Sequence, residues 1–192
     1  MEILTALNGA RSHRRGWTGR NIRVAMTDTG FENHPYFVRN GYNIERVSAP
    51  TTEHPRVDTS GHGTGESAHV LVMAPDCHFI GVKHNDYSAA ALETALAQNP
   101  RIITNSWGWD IDHQSMADLQ NTDPNLFNEL RDVENIINDP VRGPETLLVN
   151  AILIPSDEVV FPKSTTQCSA PSRLKRWKVQ RLPNTHRWHE SL

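Results

Sequence analysis

The chain has 192 residues, which is enough for one domain with a hydrophobic core, and hydrophobic residues make up 37% of it. Its formal net charge of −3 gives no reason to expect nucleic acid or an acidic membrane surface as a partner. The N-terminus has no apolar core of secretory length and the longest apolar stretch, residues 146–155, is too short to span a bilayer, so we expect a soluble chain without assigning it to a compartment.

The predicted elements alternate between strands and helices. Short apolar runs predict strands at residues 22–27, 79–83, 102–105 and 146–154. Helix formers and apolar residues at helical spacing predict helices at residues 63–73, 89–98 and 125–138, the last of them capped by Asp123 and Pro124. Residues 31–60 are polar and contain three prolines, which predicts a loop. This order predicts an α/β fold, a three-layer parallel β-sheet flanked by helices.

The composition changes after Pro162. Residues 163–192 hold seven of the nineteen Lys and Arg residues and only one acid, Glu190. No period of 2 or 3.6 persists there, which predicts a basic, disordered tail. We therefore divide the chain into a domain at residues 1–162 and a tail at residues 163–192.

A carboxylate stands at the end of the first predicted strand, in the stretch VAMTDTG at residues 24–30. Open α/β sheets bind ligands at the carboxyl ends of their strands, and Gly30 allows the chain to turn sharply there. The same pattern is also typical of an Asx turn at a strand end. This stretch alone leaves both interpretations of Asp28 open.

A histidine flanked by glycines, His62, stands at the predicted start of a helix in the stretch DTSGHGTG, residues 58–65. The glycines let backbone or substrate come close. The positive end of the helix dipole disfavours an imidazolium, whereas a nearby carboxylate favours it, and together they would poise the ring as a base near neutral pH. Taken alone, this stretch favours a surface histidine in a turn.

Together the two stretches resemble the first two signatures of the subtilisin-like serine proteases, V-A-x-x-D-[ST]-G and H-G-T. Further stretches are similar to the same family and follow in the same order: residues 16–24, 74–76, 79–83 and 102–108. The last of these, IITNSWG, is similar to the family's strand that ends in Ser-x-Gly and lines the substrate cleft. Several ordered motifs are more specific than one, and the resemblance covers residues 5–110.

The resemblance implies a serine endopeptidase that hydrolyses peptide bonds of peptide or protein substrates through an acyl-enzyme. Asp28 would orient His62, which would act first as a general base toward a serine hydroxyl and then as an acid toward the leaving amine. Ser106, Trp107 and Gly108 would present backbone to an extended peptide and form one wall of the specificity pocket. The family needs no cofactor, and a structural calcium ion stays open.

The chain departs from the family pattern in two places. Where many relatives have H-G-T-H-V-A-G, this chain has HGTGESA at residues 62–68, whose small residues still permit packing. The family's nucleophile lies in a Gly-Thr-Ser-x-Ala-x-Pro stretch, and no Gly-Thr-Ser occurs here; residues 169–171 match only its end. Asn150 is the candidate for the oxyanion-hole asparagine, although the family's Ala-Gly-Asn context is missing.

We therefore expect a C-terminally incomplete protease domain that is inactive as it stands. A frameshift or mispredicted exon near residues 148–162 would explain both the basic tail and the missing serine motif. The alternative is a non-catalytic truncated protease domain or a peptide-binding pseudoenzyme.

Two other functions find less support. A metal hydrolase would use some of the histidines, namely His54, His62, His69, His78 and His84. The sequence has no HExxH, and Cys77 and Cys168 form no CxxC pair, so we expect no metal site. A nucleotide-binding module would need a glycine-rich phosphate loop after the first strand, and residues 29–32 are not one.

Overall fold

The computed structural model describes residues 3–52, 54–85, 88–107, 116–138 and 147–150. Within these ranges the chain forms five strands: β1 Arg23–Asp28, β2 Ile44–Ser48, β3 His78–Lys83, β4 Ile102–Asn105 and β5 Leu147–Asn150. The helices within these ranges are α1 Ile3–Ala6, α2 Gly9–Arg14, α3 Pro35–Asn40, α4 His62–Met73, α5 Ser88–Leu96, α6 Met116–Thr122 and α7 Pro124–Asn138. The strands form one parallel sheet in the order β2-β3-β1-β4-β5, which confirms the predicted α/β fold.

The sheet lies between two layers of helices because its strands alternate their apolar side chains between the two faces. In β1, Ala25 packs on one face with the buried residues of α5, and partly buried residues of α7 complete that cluster. Val24 and Met26 point to the other face, where they pack with Phe37 of α3 and Leu71 of α4. Side-chain alternation with a period of two therefore produces the three predicted layers.

The loop that follows β1 is held onto the sheet by a ring-on-glycine contact. Phe31 is fully buried, and its ring lies over Gly81 of β3 so closely that a β-carbon there would come within 2.5 Å of the ring. The same ring meets Phe79 edge-on, with centroids 6.2 Å apart. This packing fixes the course of the chain just after Asp28.

The prediction that residues 31–60 form a loop is wrong. Pro35 begins α3, where a helix does not need the missing N–H, and His34 Nδ1 accepts a hydrogen bond from the Tyr36 N–H at 3.2 Å. Gly41, at φ 69°, ends that helix in the left-handed conformation. The strand β2 follows at the edge of the sheet and buries only Ile44 fully, so its sequence is too polar to stand out.

The other predicted elements agree with the structure to within a few residues. The predicted cap of α7 is confirmed, because Asp123 Oδ1 accepts the Leu126 N–H at 3.0 Å. The short helices α1, α2 and α6 were not predicted. Of the last predicted strand, the structure describes residues 147–150.

Some predictions concern residues outside those that the structure describes. These are Gly108, Cys168, the boundary after residue 162 and the basic tail at residues 163–192. Within the described ranges, no helix combines the length and the apolar character needed to cross a membrane.

Candidate active site

The carboxyl ends of two neighbouring strands and the start of one helix meet at one edge of the sheet. Asp28 is the last residue of β1, and β4 runs beside it in a register that pairs Thr27 with Asn105. Ser106 therefore follows β4 at the level of Asp28. Helix α4 begins at His62 and contacts both β1 and β3. Residues far apart in sequence are thus brought to the edge at which open α/β sheets bind ligands.

Asp28 and His62 lie side by side. The Nδ1 atom of His62 is 2.8 Å from the Oδ1 atom of Asp28. The Asp28 side chain is only 1% exposed, whereas the His62 side chain is 43% exposed. A buried carboxylate therefore holds one ring nitrogen, while much of the imidazole faces solvent. The structure brings together the two residues that the sequence singled out, and their catalytic role stays a prediction.

Two glycines permit this approach. A β-carbon on Gly63 would lie 2.3 Å from the carbonyl oxygen of Gly30 and 2.9 Å from the β-carbon of Asp28. Gly30 has φ 148°, and a β-carbon there would lie 2.3 Å from the carbonyl oxygen of Val57. The start of α4 can therefore rest directly on the backbone of the loop that follows β1.

A second carboxylate, Asp58, ties this loop to the helix. It is 4% exposed, and its Oδ1 atom accepts hydrogen bonds from the Thr29 hydroxyl at 2.7 Å and from the Gly61 N–H at 3.0 Å. Its Oδ2 atom accepts the N–H and the hydroxyl of Thr64 at 2.8 and 2.6 Å. Both oxygens of this carboxylate are therefore used to join α4 to the end of β1.

The electrostatic environment makes His62 a stronger base than a free histidine. Burial lowers the pKa of His62, but the hydrogen bond to Asp28 and the charges of Asp28, Glu66 and Asp58 outweigh it, so that the pKa is raised. For Asp58, burial raises the pKa, but the hydrogen bonds from Thr64, Thr29 and Gly61 outweigh burial and hold it below its ordinary value. The arrangement therefore stabilises the protonated form of the imidazole.

The predicted substrate wall lies next to this pair. The Ser106 hydroxyl donates to Glu66 Oε2 at 3.4 Å. The ring of Trp107 is folded back onto the sheet, since its Nε1–H points at the carbonyl and hydroxyl oxygens of Thr27, at 2.9 and 2.8 Å. Gly108 lies outside the described residues. The contact of this wall with substrate stays a prediction.

The predicted oxyanion asparagine can be placed only by its backbone. Asn150 ends β5 and pairs in register with Asn105 of β4, which puts it at the same edge of the sheet as Asp28. Its side chain and residues 151–192, including Ser169, lie outside the described part of the chain.

Two other described histidines lie beside different carboxylates. His69 Nδ1 is 3.6 Å from Glu66 Oε1, and His78 Nε2 is 2.6 Å from Glu45 Oε2. Within the described ranges, no three His, Cys, Asp or Glu side chains are grouped so that they could share a metal ion. A structural calcium ion therefore stays an expectation from the resemblance alone.

Sequence patterns alone predict no role for Asp58 or Thr29. A signal was present, because Asp58 stands six residues before Thr64 in a stretch that opens a helix, where a carboxylate can accept the first free N–H groups. That the same carboxylate would also reach Thr29 depends on how β1 and α4 pack, which local sequence does not reveal.

Comparison with known proteins gives a relationship over part of the chain. No family model matches it. Subtilisin Savinase from Lederbergia lenta and an alkaline protease from Alkalihalobacillus alcalophilus are each 30% identical to it over 105 residues, and subtilisin E from Bacillus subtilis (strain 168) is 30% identical over 115 residues. These alignments cover 50% of this chain but only 37%, 26% and 29% of the three relatives, in the order named. The chain is therefore related to subtilisins across half of its length.

Proposed function

We propose that this chain contributes the Asp–His part of the catalytic site of a subtilisin-like serine endopeptidase. The observation that supports this most is the 2.8 Å contact between His62 Nδ1 and a carboxylate, Asp28, that is 1% exposed. When Nδ1–H of His62 donates a hydrogen bond to the Asp28 carboxylate, the lone pair of Nε2 is available to accept a proton. This is the tautomer that a general base needs in a serine protease.

In the proposed reaction, a serine hydroxyl attacks the carbonyl carbon of a peptide bond while His62 Nε2 accepts the hydroxyl proton. The same proton then passes to the leaving amine, which leaves the acyl group bound to the serine. Water then attacks this acyl-enzyme, with His62 again accepting and returning a proton, and the acyl group is released. Asp28 stays ionised throughout and stabilises the imidazolium. The raised pKa of His62, to which Glu66 and Asp58 also contribute, favours proton uptake.

The substrate of the proposed enzyme is a peptide or protein in an extended conformation. Ser106 follows β4 directly, and the indole of Trp107 is anchored to Thr27, the residue before Asp28. A backbone segment fixed in this way next to the base can pair with an extended substrate. We propose residues 106–108 as one wall of the pocket for the side chain that precedes the scissile bond.

We propose further that the chain is inactive as it stands. Its sequence contains no Gly-Thr-Ser stretch to supply the nucleophile. Loss of a triad serine reduces the rate by about 10⁶-fold in a well-studied case. A change of reading frame near residues 148–162 would account for the missing motif.

A fluorophosphonate probe, which reacts with activated serines, tests the inactivity. We expect purified chain to be labelled no more than its His62→Ala variant. Labelling that depends on His62 would show that the 192-residue chain already holds an activated serine, and would overturn this part of the proposal.

The coding DNA tests the catalytic role itself. Translation in the other two frames is expected to give Ala-Gly-Asn and then Gly-Thr-Ser, and the resulting longer chain is expected to hydrolyse a peptide amide. In that chain, Asp28→Asn and His62→Ala should each abolish most of the rate. Absence of both motifs from both frames would contradict the frameshift, and hydrolysis that persists in His62→Ala would contradict the role of His62.

The alternative, a domain that binds peptides without cleaving them, is favoured by the same missing serine motif. Titration of the ¹⁵N-labelled chain with an extended peptide separates the two. Saturable shifts of the Ser106 and Trp107 amides with no hydrolysis in either the 192-residue or the longer chain would support the binding domain.

A further inference from the structure

We propose that Asp58 is a positioning residue for His62: its carboxylate joins the first turn of α4 to the loop that follows Asp28 and so fixes the imidazole against its partner. This inference rests on the proposed function, in which His62 is the base. Asp58 itself forms no hydrogen bond with the imidazole.

On the helix side, Asp58 acts on the turn that contains His62. Its Oδ1 atom accepts the Gly61 N–H at 3.0 Å, and its Oδ2 atom accepts the Thr64 N–H at 2.8 Å. These two residues flank His62 and Gly63 in sequence. The carboxylate therefore takes up N–H groups that the start of a helix leaves without a partner, and it fixes the backbone on both sides of the histidine.

On the strand side, the link runs through Thr29. The Thr29 hydroxyl donates to Asp58 Oδ1 at 2.7 Å and accepts the Gly63 N–H at 3.1 Å. The backbone N–H of the same Thr29 donates to Asp28 Oδ1 at 2.8 Å, the atom that also faces His62 Nδ1. One threonine thus connects Asp28, which faces the imidazole, with Asp58, which holds the backbone on both sides of His62.

The burial of Asp58 makes its hydrogen bonds to the loop and to the helix important for stability. At 4% exposure, an ionised carboxylate needs hydrogen-bond donors, and its donors come from both the loop and the helix. A carboxylate that only caps a helix would need hydrogen-bond donors from the helix alone. Asp58 also adds negative charge near His62, beside Asp28, which binds the ring, and Glu66 in the same helix.

The test is an NMR titration of His62 in the 192-residue chain, assigned with His62→Gln, which needs no catalytic activity. Asp58→Asn keeps the shape of the side chain but removes its negative charge. It also replaces one carboxylate oxygen, an acceptor, with an amide NH₂ group, a donor. We expect the pKa of His62 to fall. Asp76→Asn is the matched control, because Asp76 is an exposed carboxylate that accepts a threonine hydroxyl, that of Thr18, at 2.6 Å just before β3.

Loss of the Asp58 charge by itself lowers the pKa of His62, so the titration of Asp58→Asn alone does not separate positioning from charge. Variants of Thr29 keep that charge, and a role confined to helix capping would leave the titration of His62 unchanged in them. A folded Asp58→Asn variant whose His62 titrates like that of Asp76→Asn would overturn the proposal. Failure of the longer chain to hydrolyse peptides would count against the proposed function and would leave the titration result as it is.

A second pair of variants separates positioning from the charge of Asp58, and it also decides the matter if Asp58→Asn does not fold. Thr29→Val removes the linking hydroxyl and leaves the bonds from Asp58 to α4 in place, whereas Thr29→Ser keeps the hydroxyl. We expect the pKa of His62 to fall in Thr29→Val and to stay at the parent value in Thr29→Ser. Equal titrations in the two variants would overturn the proposal.

Discussion

The β-carbon of Asp28 lies only 2.9 Å from the place that a β-carbon on Gly63 would occupy. The helix that begins at His62 therefore approaches β1 as closely as backbone allows. A carbonyl oxygen, that of Gly30, lies closer still to the same place, at 2.3 Å. A side chain at position 63 must push the helix away from the strand, and with it the imidazole from the carboxylate.

Gly63→Ala is accordingly expected to destabilise the chain by about 1–3 kcal/mol, the usual cost of overpacking, and to weaken the Asp28–His62 contact. Gly65→Ala is the control in the same helix, because nothing lies within 4 Å of its added β-carbon. We expect Gly65→Ala to be neutral or to stabilise the helix by up to about 1 kcal/mol. Urea unfolding measures both changes, and equal effects would contradict the steric argument.

The Asp28–His62 pair should make stability depend on pH in a defined direction. The pKa of His62 is raised in the folded chain, since the hydrogen bond and the charge of Asp28 outweigh burial. The stabilisation by the charged pair is therefore fully present below the pKa of an unfolded histidine, about 6.5, and is lost as the pH rises through the folded value.

Asp28→Asn should remove the stabilisation by the charged Asp28–His62 pair. The difference in unfolding free energy between the parent chain and the variant should therefore shrink as the pH rises. Urea unfolding at a series of pH values measures it, with His62→Gln as the reciprocal variant. A difference that grows with pH in the neutral range would contradict the assignment.

The contact between Phe31 and Gly81 supports the loop after Asp28 and can be tested separately. Gly81→Ala would place a β-carbon 2.5 Å from the ring, so we expect a loss of about 1–3 kcal/mol of stability. Phe31→Leu removes part of the ring, so the double variant should lose less than the sum of the two single changes. Strict additivity in thermal or urea unfolding would show that the two residues do not interact.

The thiol of Cys77 should be nearly unreactive in the folded chain. Burial, together with the neighbouring charge of Asp76, raises its pKa to about 11. Since a free thiol has a pKa of about 8.5, alkylation at pH 8 should be roughly a hundredfold slower than in the unfolded chain. Iodoacetamide labelling of a Cys168→Ser variant, followed by mass spectrometry with and without urea, measures this ratio. Equal rates would show that Cys77 is accessible.

The sequence predicted the elements that are strongly apolar or well capped. The strands β1 and β3 are buried on both faces and so appear as short apolar runs, and β4 buries alternate residues of a short run that begins with two isoleucines. Asp123 and Pro124 mark the start of α7. The edge strand β2 was missed because one fully buried residue, Ile44, leaves no pattern to detect. Pro35 favours a loop when the sequence is considered alone, yet the first turn of a helix also accepts proline, and α3 begins there.

The proximity of Asp28 and His62 was predictable because each of them stands in a recognisable motif, and their catalytic role stays a prediction. Asp58 could not be assigned in the same way, because its role depends on Thr29, which follows a different element. A carboxylate that joins two elements is recognised only when their packing is known.

The pairing of the strands also decides when this site can form as the chain leaves the ribosome. β1 pairs with β3 and β4, and β2 pairs with β3, so β1 and β2, the two strands described before residue 78, are not neighbours. A nascent chain that has just completed α4 already contains Asp28 and His62, yet it has no sheet on which to align them. We therefore expect the two side chains to reach their final geometry after β3 has been synthesised and has inserted between the two earlier strands.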